Sequence, residues 1–178
     1  DIGLGIPADP LFRSRDTGDE GCGGDYYDGD GGFESVSQGV NGNGPDNWLV
    51  LPPLTLNGTS CTLSYSRRAG FRKYDHYGVY ISTTSATDPT AFTLLDEETP
   101  AENAYGCTTR TLDLSSYIGS TVYIAFRHFS CVNQLSIILD EIMVTAEGAD
   151  QTIVTLPSSL RFINVPMGVA SAASPVYL

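Results

Sequence analysis

The sequence predicts an all-β protein folded as an antiparallel β-sandwich or jelly roll, and three observations lead to this prediction. Several short segments alternate apolar and small polar residues with a period of two, which is typical of strands with one buried face. Turn-forming residues, among them 19 glycines and 10 prolines, separate these segments at fairly even spacing. No segment sustains a helical period, so packed helices are not expected.

The strand pattern begins at residue 48 and is carried by five segments: 48–51, 61–65, 77–81, 121–129 and 135–144. In the third segment, Tyr77, Val79 and Ile81 share one face. In the fourth segment one face collects Val122, Ile124, Phe126 and His128. The fifth is apolar on both faces, which is typical of a central strand. Residues 1–47, by contrast, are rich in Gly and Asp and predict loop.

The charge balance excludes two classes of partner. Acidic residues outnumber basic ones 21 to 9, which gives a formal net charge of −12. Nucleic acids and anionic lipids both require a basic surface, so we expect neither as a partner. The excess of carboxylates suits divalent cations, or serves only solubility.

No apolar run approaches the roughly 18 residues of a membrane span, so no membrane insertion is expected. No signal peptide is recognisable, and we expect the chain to begin after a processing boundary.

The four cysteines are Cys22, Cys61, Cys107 and Cys131, and none of them forms a C-x-x-C pair. Because the chain has only two histidines, a Cys/His zinc site is not expected. Four cysteines allow three pairings, which the sequence leaves open. The composition is typical of extracellular proteins, so we expect at least one disulfide.

The chain divides into two predicted parts. Residues 1–148 form the sandwich, and residues 149–178 form a linker with strands that are typical of the start of an immunoglobulin-like domain. This second part is too short to close a sandwich of roughly 100 residues. Either the rest of that domain is absent, or residues 151–178 pair elsewhere. Donation of such a strand to a neighbouring molecule would allow self-association.

Asp140 is the first candidate metal ligand. Uninterrupted alternation places it on one strand face with Ile138, Ile142 and Val144, which predicts that its carboxylate is buried. A buried carboxylate must be paired, protonated or metal-bound. Ca²⁺ fits because it prefers oxygen ligands. The alternatives are a salt bridge to a buried arginine such as Arg127, or hydrogen bonds to a loop.

The acidic loop Asp25–Gly31 is the second calcium candidate. Asp25, Asp28 and Asp30 lie close together, and the glycines allow sharp turns that let carboxylates converge on one cation. The spacing is not that of an EF-hand, and the alternative is an ordinary solvated acidic loop. Asp46, directly before an apolar strand, either caps a turn or supplies a further ligand.

No catalytic motif is found, and an enzyme is not expected. The chain has no Gly-x-Ser-x-Gly elbow, no His-Glu-x-x-His and no phosphate-binding glycine loop. We expect His128 to be a hydrogen-bonded core residue with nothing nearby to complete a site. Cys131 lies three positions further on, so a continuing strand would place it on the opposite face from His128.

One basic and aromatic cluster stands out in this acidic chain. Its members Arg68, Phe71, Arg72 and Tyr74 form a candidate ligand-binding surface, because arginine and aromatic side chains dominate binding hot spots. The alternative is an exposed hairpin tip with solvated charges.

Several stretches of the chain, in order, resemble successive signatures of one family. They are Asp46–Val50 with Pro52, Asp75–Thr84, Phe92–Thr99, Asp113–Tyr117, Tyr123–Phe129 with Cys131, and Leu139–Ile142. The chain thereby resembles the cleaved adhesin domain of gingipain-type and haemagglutinin-type bacterial proteins, which is similar in fold to MAM domains. This resemblance implies a jelly-roll sandwich with structural calcium, exported to the bacterial cell surface.

The sequence therefore favours a secreted, calcium-stabilised adhesin module that binds a host protein or glycan. Two alternatives remain open. The chain is a subunit of an extracellular filament or surface layer that assembles by strand exchange, or it is an accessory binding domain of a larger secreted hydrolase.

Overall fold

Eleven antiparallel strands make up most of the chain that this computed structural model describes, which is residues 12–15, 32–37, 44–69, 74–100, 107–148 and 154–155. The strands are β1 (Phe12–Arg15), β2 (Gly32–Val36), β3 (Asp46–Val50), β4 (Leu54–Thr55), β5 (Ser60–Ala69), β6 (Tyr77–Ser82), β7 (Thr93–Glu98), β8 (Thr108–Asp113), β9 (Thr121–Phe129), β10 (Ser136–Glu147) and β11 (Val154–Thr155). Two short 3-10 turns, Pro89–Ala91 and Ser115–Tyr117, are the helical elements of these ranges. None of the helices described has the length and apolar character needed to span a membrane.

The strands form two sheets that pack face to face. The first sheet has the order β1-β2-β10-β5-β8, and β11 also pairs with β10. The second sheet has the order β3-β9-β6-β7, and β4 also pairs with β9. Strands that are distant in the chain are thus neighbours in both sheets, as in a jelly roll. The prediction of an all-β antiparallel sandwich is confirmed.

The core forms where the two sheets turn their apolar rows towards each other. Val122, Ile124 and Phe126 of β9 are fully buried and meet Ile137 and Leu139 of β10. The predicted faces of the segments 77–81 and 121–129 are confirmed, because the members of both rows are buried. These faces are buried because successive side chains of a strand point to opposite sides of the sheet, so every second residue lies in the core.

The predicted face of Asp140 is wrong, because β10 contains a β-bulge. The register with β5 shifts between Asp140 and Met143, and Glu141 has a left-handed backbone with φ of 51°. Ile137 and Leu139 enter the core before the bulge, and Ile142 and Val144 enter it afterwards. Asp140 therefore lies on the opposite sheet face from Ile142 and Val144, since a bulge adds one residue to the alternation. The predicted burial is still correct, because Asp140 is only 8% exposed.

The prediction of loop over residues 1–47 is also wrong in part. β1 and β2 are strands, and β2 pairs with β10 through Ser35 opposite Ile137. Phe12 of β1 is buried in the core. These strands are four and five residues long, so their alternation is too brief to recognise among the surrounding glycines. The acidic loop with Asp25, Asp28 and Asp30 lies outside the described residues.

The tail contributes one described element to this fold. Val154 and Thr155 pair with Val144 and Met143 of β10 in the same chain. The rest of 149–178 lies outside the described residues, so the separate second part and its donation to a neighbouring molecule stay predictions.

We predict that Phe126→Ala lowers the free energy of unfolding by about 3–5 kcal/mol, because it leaves a cavity in the core. The ring of Phe126 packs edge-on against Tyr65, with ring centroids 5.0 Å apart. Urea denaturation measures the change. Val36→Ala is the matched control, since Val36 is 43% exposed, and a loss for Phe126→Ala no larger than for this control would contradict the packing.

Candidate binding surface and buried polar centre

The outer surface of the second sheet carries a cluster of aromatic side chains and one arginine, which we call the aromatic face. Its members are Trp48 of β3, which is only 9% exposed, and four partly exposed residues: Tyr80 of β6, Phe92 just before β7, and Arg127 and Phe129 of β9. Trp48 and Gly78 both lie opposite Arg127 in the strand register. The neighbours of Arg127 along β9 are the buried Phe126 and His128, so Arg127 points to the other side.

The rings of the aromatic face contact one another directly. The Trp48 ring centroid lies 5.1 Å from that of Tyr80 and 5.5 Å from that of Phe92. Tyr80 and Phe129 are 6.4 Å apart, and His76 meets Phe129 edge-on at 4.7 Å. Aromatic pairs at such distances add about 0.5–1.5 kcal/mol each beyond their burial. The face is therefore an ordered surface rather than a set of independent side chains.

Arg127 lies across this surface and is held there by Asp46. Its guanidinium carbon is 5.0 Å from the Trp48 ring centroid and 4.3 Å from that of Phe129. Its Nε and Nη2 donate to the two oxygens of Asp46 at 2.6 and 2.9 Å. The hydrogen bond to Asp46 raises the pKa of Arg127, so the guanidinium stays charged.

Asp46 was a predicted calcium ligand or turn cap, and in the structure both its oxygens accept hydrogen bonds from Arg127. Trp48 Nε1 donates to the same carboxylate at 3.0 Å. These contacts compete with a calcium ion for the same oxygens. Arg127 therefore pairs with Asp46, and not with Asp140 as one of the predicted alternatives had it.

Gly78 lies beneath the ring of Tyr80 and the side chain of Leu94. A Cβ atom at this position would lie 2.8 Å from Cε2 of Tyr80 and 3.2 Å from Cδ1 of Leu94. A side chain at residue 78 would thus displace Tyr80. Leu94 beside it is 43% exposed and extends the apolar surface.

The described members of the predicted ligand-binding cluster, Arg68 and Tyr74, do not belong to the aromatic face. Arg68 is a partly buried residue of β5, and Tyr74, at 48% exposed, stands in the loop before β6. The backbone N–H of Tyr74 donates to Oε1 of Gln134 at 3.0 Å. Phe71 and Arg72 lie outside the described residues. A binding role for this cluster stays a prediction.

A second group of polar side chains is buried between the two sheets at one end of the sandwich, and we call it the buried polar centre. It comprises Ser35, Ser37, Asn47, Asp75, His128 and Cys131, each at most 5% exposed. The first three come from β2 and β3 or directly follow β2. His128 comes from the end of β9, and Asp75 and Cys131 come from the flanking loops.

His128 contacts three other residues of the buried polar centre through its two ring nitrogens. Its Nε2 atom is 3.1 Å from Oδ1 of Asp75 and 3.1 Å from Sγ of Cys131. Its Nδ1 atom is 2.7 Å from Oγ of Ser35, which also accepts a hydrogen bond from Nδ2 of Asn47 at 2.8 Å. Each ring nitrogen therefore has partners, as a buried imidazole requires.

Hydrogen bonds hold Asp75 in its ionised form. Burial acts to raise the pKa of its carboxyl, but hydrogen bonds from His128, Ser37 and the backbone N–H of Leu135 outweigh it, and the pKa is lowered. The pKa of the Cys131 thiol is shifted in the opposite direction, because burial and the nearby charge of Asp75 raise it. The centre thus holds a carboxylate beside a protonated thiol.

The opposite faces predicted for Cys131 and His128 required the strand to continue, and it does not continue. The strand ends at Phe129, and Ser130 adopts a left-handed backbone with φ of 53°, which turns Cys131 back towards His128. Gly44 also approaches closely, since a Cβ there would lie 1.9 Å from the carbonyl oxygen of Cys131. The premise that no chemical partners lie near His128 is wrong, because Asp75 and Cys131 both contact it, whereas the absence of a catalytic role stays a prediction. Asp75, 53 residues away in the chain, joins only through the fold.

A third polar group links the sheets along the edge formed by β5, β7 and β8. Arg67 donates through Nε and Nη2 to the two oxygens of Glu98, and Tyr77 donates to Glu98 at 2.9 Å. Arg110 pairs with Asp96 at 2.6 Å. Burial acts to raise the pKa of Glu98, but the hydrogen bonds from Arg67 and Tyr77 and the charges of Arg67 and Arg110 lower it overall. This group ties the first sheet to the second.

The cysteines divide into two kinds. Cys107 is disulfide-bonded, so the expectation of at least one disulfide is confirmed. Cys61 and Cys131 are buried free thiols. Their burial explains how they stay reduced in a chain that also contains a disulfide.

These features define a jelly-roll binding module, a sandwich with an aromatic cluster on the outer side of one sheet and two buried free thiols. The model of the Cleaved Adhesin Domain family matches residues 23–144. The chain belongs to this family, and the resemblance seen in the sequence is confirmed.

The relatives include a haemagglutinin and gingipains of Porphyromonas gingivalis. Hemagglutinin A is 39% identical over 125 residues, which cover 59% of this chain and 6% of that protein. Gingipain R1 is 33% identical over 139 residues, which cover 68% of this chain and 8% of the relative. The chain therefore spans less than a tenth of the length of these relatives.

Solved structures show the same fold. The K1 cleaved adhesin domain of Lys-gingipain is 30% identical, with a TM-score of 0.57 over 81% of this chain and 94% of that domain. The K3 domain of the same protein is 26% identical, with a TM-score of 0.57 over 83% of this chain and 97% of that domain. The jelly-roll class rests on these structures as well as on the sheet topology.

We predict that Glu98→Gln lowers the free energy of unfolding by about 3 kcal/mol at neutral pH, because it leaves Arg67 buried without its anionic partner. The pKa of Glu98 is lowered in the folded state, so the stability it contributes is present above its ordinary pKa of 4.5 and is lost as the pH falls through the lowered value. The difference from the wild type should shrink in that acidic range.

Chemical denaturation at a series of pH values measures this difference. Glu147→Gln is the control, because Glu147 is an exposed carboxylate at the end of β10. If the free energy of unfolding of Glu98→Gln stays below that of the wild type by the same amount down to strongly acidic pH, the assigned role of Glu98 is contradicted.

Proposed function

We propose that this domain is a non-catalytic binding module of a secreted or cell-surface bacterial adhesin, and that the aromatic face contacts a glycan or a protein of a host cell. One observation carries the proposal: Arg127 lies over Trp48 and Phe129 on the side of the sheet that faces away from the core. The core already contains its own aromatic residues, so this second cluster is not needed to close the sandwich.

The chemistry of the aromatic face suits recognition. Aromatic and arginine side chains supply most of the energy at binding hot spots, because they bury a large area at little cost in conformational entropy. Leu94, which is 43% exposed, adds apolar surface beside the rings against which a flat ring can lie. Sugar rings and extended peptides both fit such a surface.

The charge of the face favours a neutral glycan. Asp46 neutralises Arg127 through two hydrogen bonds, so the face carries no net positive charge of its own. The whole chain has a formal net charge of −12. A strongly anionic ligand would be repelled by the chain without finding a free cation on this face.

The name of one relative supports a host-cell surface as the target of the domain. The name of Hemagglutinin A describes agglutination of red blood cells, and this supports erythrocytes as the first probe for the domain. Another relative from the same organism is named as a protease, Protease PrtH. In a protein of that kind the module would act as the accessory binding part beside a separate catalytic unit.

The geometry of the buried polar centre argues against catalysis by this domain. In a Cys-His-Asp relay, the thiol and the carboxylate contact different nitrogens of the imidazole. Here both contact Nε2 of His128, and Ser35 occupies Nδ1. Cys131 is also 5% exposed, so a substrate cannot reach it.

We predict that the double variant Phe92→Ala with Phe129→Ala lowers the affinity for the ligand at least 10-fold, because it removes two rings of the aromatic face. Binding is measured to erythrocyte membranes and to an array of neutral and acidic glycans. Circular dichroism checks that the variant is folded.

The matched control is Arg68→Gln with Tyr74→Ala, which alters the other candidate surface and should bind as the wild type does. If the control loses binding and the aromatic-face variant keeps it, the ligand contacts the basic and aromatic cluster instead. If both the aromatic-face variant and the control bind as the wild type does, the assignment of the aromatic face is also contradicted.

We further propose that calcium stabilises the domain, with Asp140 and the loop residues Asp25, Asp28 and Asp30 as ligands. Asp140 is a carboxylate with 8% exposure that faces away from the apolar core, and its Oδ1 accepts a hydrogen bond from the backbone N–H of Glu141 at 2.7 Å. Hard oxygen ligands of this kind suit Ca²⁺. The bulge in β10 supports the proposal, because bulges are common where a side chain is redirected to a site.

We predict that EDTA lowers the melting temperature of the purified domain and that added Ca²⁺ restores it, because a ligand that binds only the folded state stabilises it. Asp140→Asn should melt at a lower temperature and respond less to Ca²⁺. Asp88→Asn, which alters an exposed residue, is the control. A melting curve that EDTA leaves unchanged would refute this proposal without affecting the aromatic face.

A further inference from the structure

We infer that the buried polar centre is a binding site for a thiophilic divalent cation, with Zn²⁺ as the natural occupant and Asp75, His128 and Cys131 as its protein ligands. The site shares no residue with the aromatic face or with the proposed calcium ligands.

Three ligand atoms converge on one point. Oδ1 of Asp75, Nε2 of His128 and Sγ of Cys131 are separated by 3.1 Å, 3.1 Å and 3.7 Å. A tetrahedral Zn²⁺ with bonds of about 2.0–2.3 Å places its ligand atoms roughly 3.3–3.6 Å apart. Shifts of a few tenths of an ångström would therefore convert the observed cluster into three corners of a tetrahedron.

The donor and acceptor atoms of the cluster can hold a cation in place of their shared protons. Nε2 of His128 carries at most one hydrogen, yet it faces the thiol and the carboxylate at equal distances. Oδ1 of Asp75 is in addition contacted by the hydroxyl of Ser37 and by Sγ of Cys131. A divalent cation would satisfy the imidazole lone pair, the thiolate and the carboxylate together.

Charge balance supports the same occupant. The carboxylate and the thiolate together carry two negative charges, which a divalent cation cancels, so the loaded site is neutral in the protein interior. The thiol proton of Cys131 leaves to solvent when the metal–sulfur bond forms. The fourth corner remains for a water molecule or for the hydroxyl of Ser37.

The second layer of residues is arranged as around known zinc sites. A ligating imidazole usually donates its other N–H to an oxygen, which fixes the ring. Nδ1 of His128 is 2.7 Å from Oγ of Ser35, and Asn47 orients that hydroxyl. The backbone N–H of Leu135 donates to the remaining oxygen of Asp75 at 3.1 Å.

The ligand set selects zinc over calcium. Sulfur and imidazole are poor ligands for Ca²⁺ and good ones for Zn²⁺. The lack of a C-x-x-C pair, which argued against a zinc site in the sequence, does not matter here, because the fold rather than local spacing gathers the ligands.

A bound cation would clamp the loop before β6 to the turn after β9. His76, next to Asp75, contacts the ring of Phe129, and the N–H of Phe129 donates to the carbonyl of His76 at 3.0 Å. The clamp would therefore stabilise the edge of the aromatic face from inside.

Cobalt titration tests the inference, because Co²⁺ substitutes for Zn²⁺ and a thiolate ligand gives it a charge-transfer absorption. The domain is purified with reduced thiols and stripped of metals, and an excess of Ca²⁺ is kept in every sample so that the calcium proposal cannot affect the result. We expect one Co²⁺ per chain, displaced by Zn²⁺. Cys131→Ser should abolish the thiolate band, and Asp75→Asn should weaken Co²⁺ binding at least 10-fold.

The matched control is Cys61→Ser, which removes the other buried free thiol and should leave the band unchanged. A second readout uses the wild type alone: Zn²⁺ at a hundredfold excess over its Kd should raise the melting temperature by roughly 5–10 °C. Absence of Co²⁺ uptake by the wild type, or a band that survives Cys131→Ser, would overturn the inference.

Discussion

The alternation of side chains along β9 is the constraint on which the rest of the structure depends. β9 pairs with β3, β4 and β6 and so anchors the second sheet. One row of its side chains, including Phe126, closes the core, and the other row places Arg127 and Phe129 on the aromatic face. A register slip of one residue would bury Arg127 and expose Phe126, so the apolar core fixes the composition of the outer surface.

The end of this strand also joins the two sites. His128 points inwards to the buried polar centre, while its neighbours Arg127 and Phe129 point outwards. The loop that supplies Asp75 continues into His76, which packs on Phe129. The buried polar centre and the edge of the aromatic face are therefore adjacent along the chain and joined by a direct contact.

The sequence predicted those features that depend on local periodicity. The alternation of the segments 77–81 and 121–129 was sufficient to assign their buried faces, and the burial of Asp140 followed from its apolar neighbours. Features that depend on single backbone conformations could not be predicted. The left-handed φ of Glu141 shifts the face of Asp140, and that of Ser130 returns Cys131 to His128, yet neither residue is a glycine that would indicate such a turn.

The sites themselves were harder to predict than the fold, because their residues meet only through long-range pairing. Asp75 and His128 are 53 residues apart, and Asp46 and Arg127 are 81 apart. Both pairs require the register of β9 with its neighbours. The basic and aromatic cluster around Arg68, by contrast, was noticed because its members are close in the sequence.

The fluorescence of Trp48 tests the central claim most directly, since it is the single tryptophan of the chain and belongs to the aromatic face. The domain is titrated with a neutral oligosaccharide that it retains on the array, and heat release is recorded in parallel. The account predicts a change in Trp48 emission that saturates at the same ligand concentration as the heat. Saturable heat release with unchanged emission would contradict it.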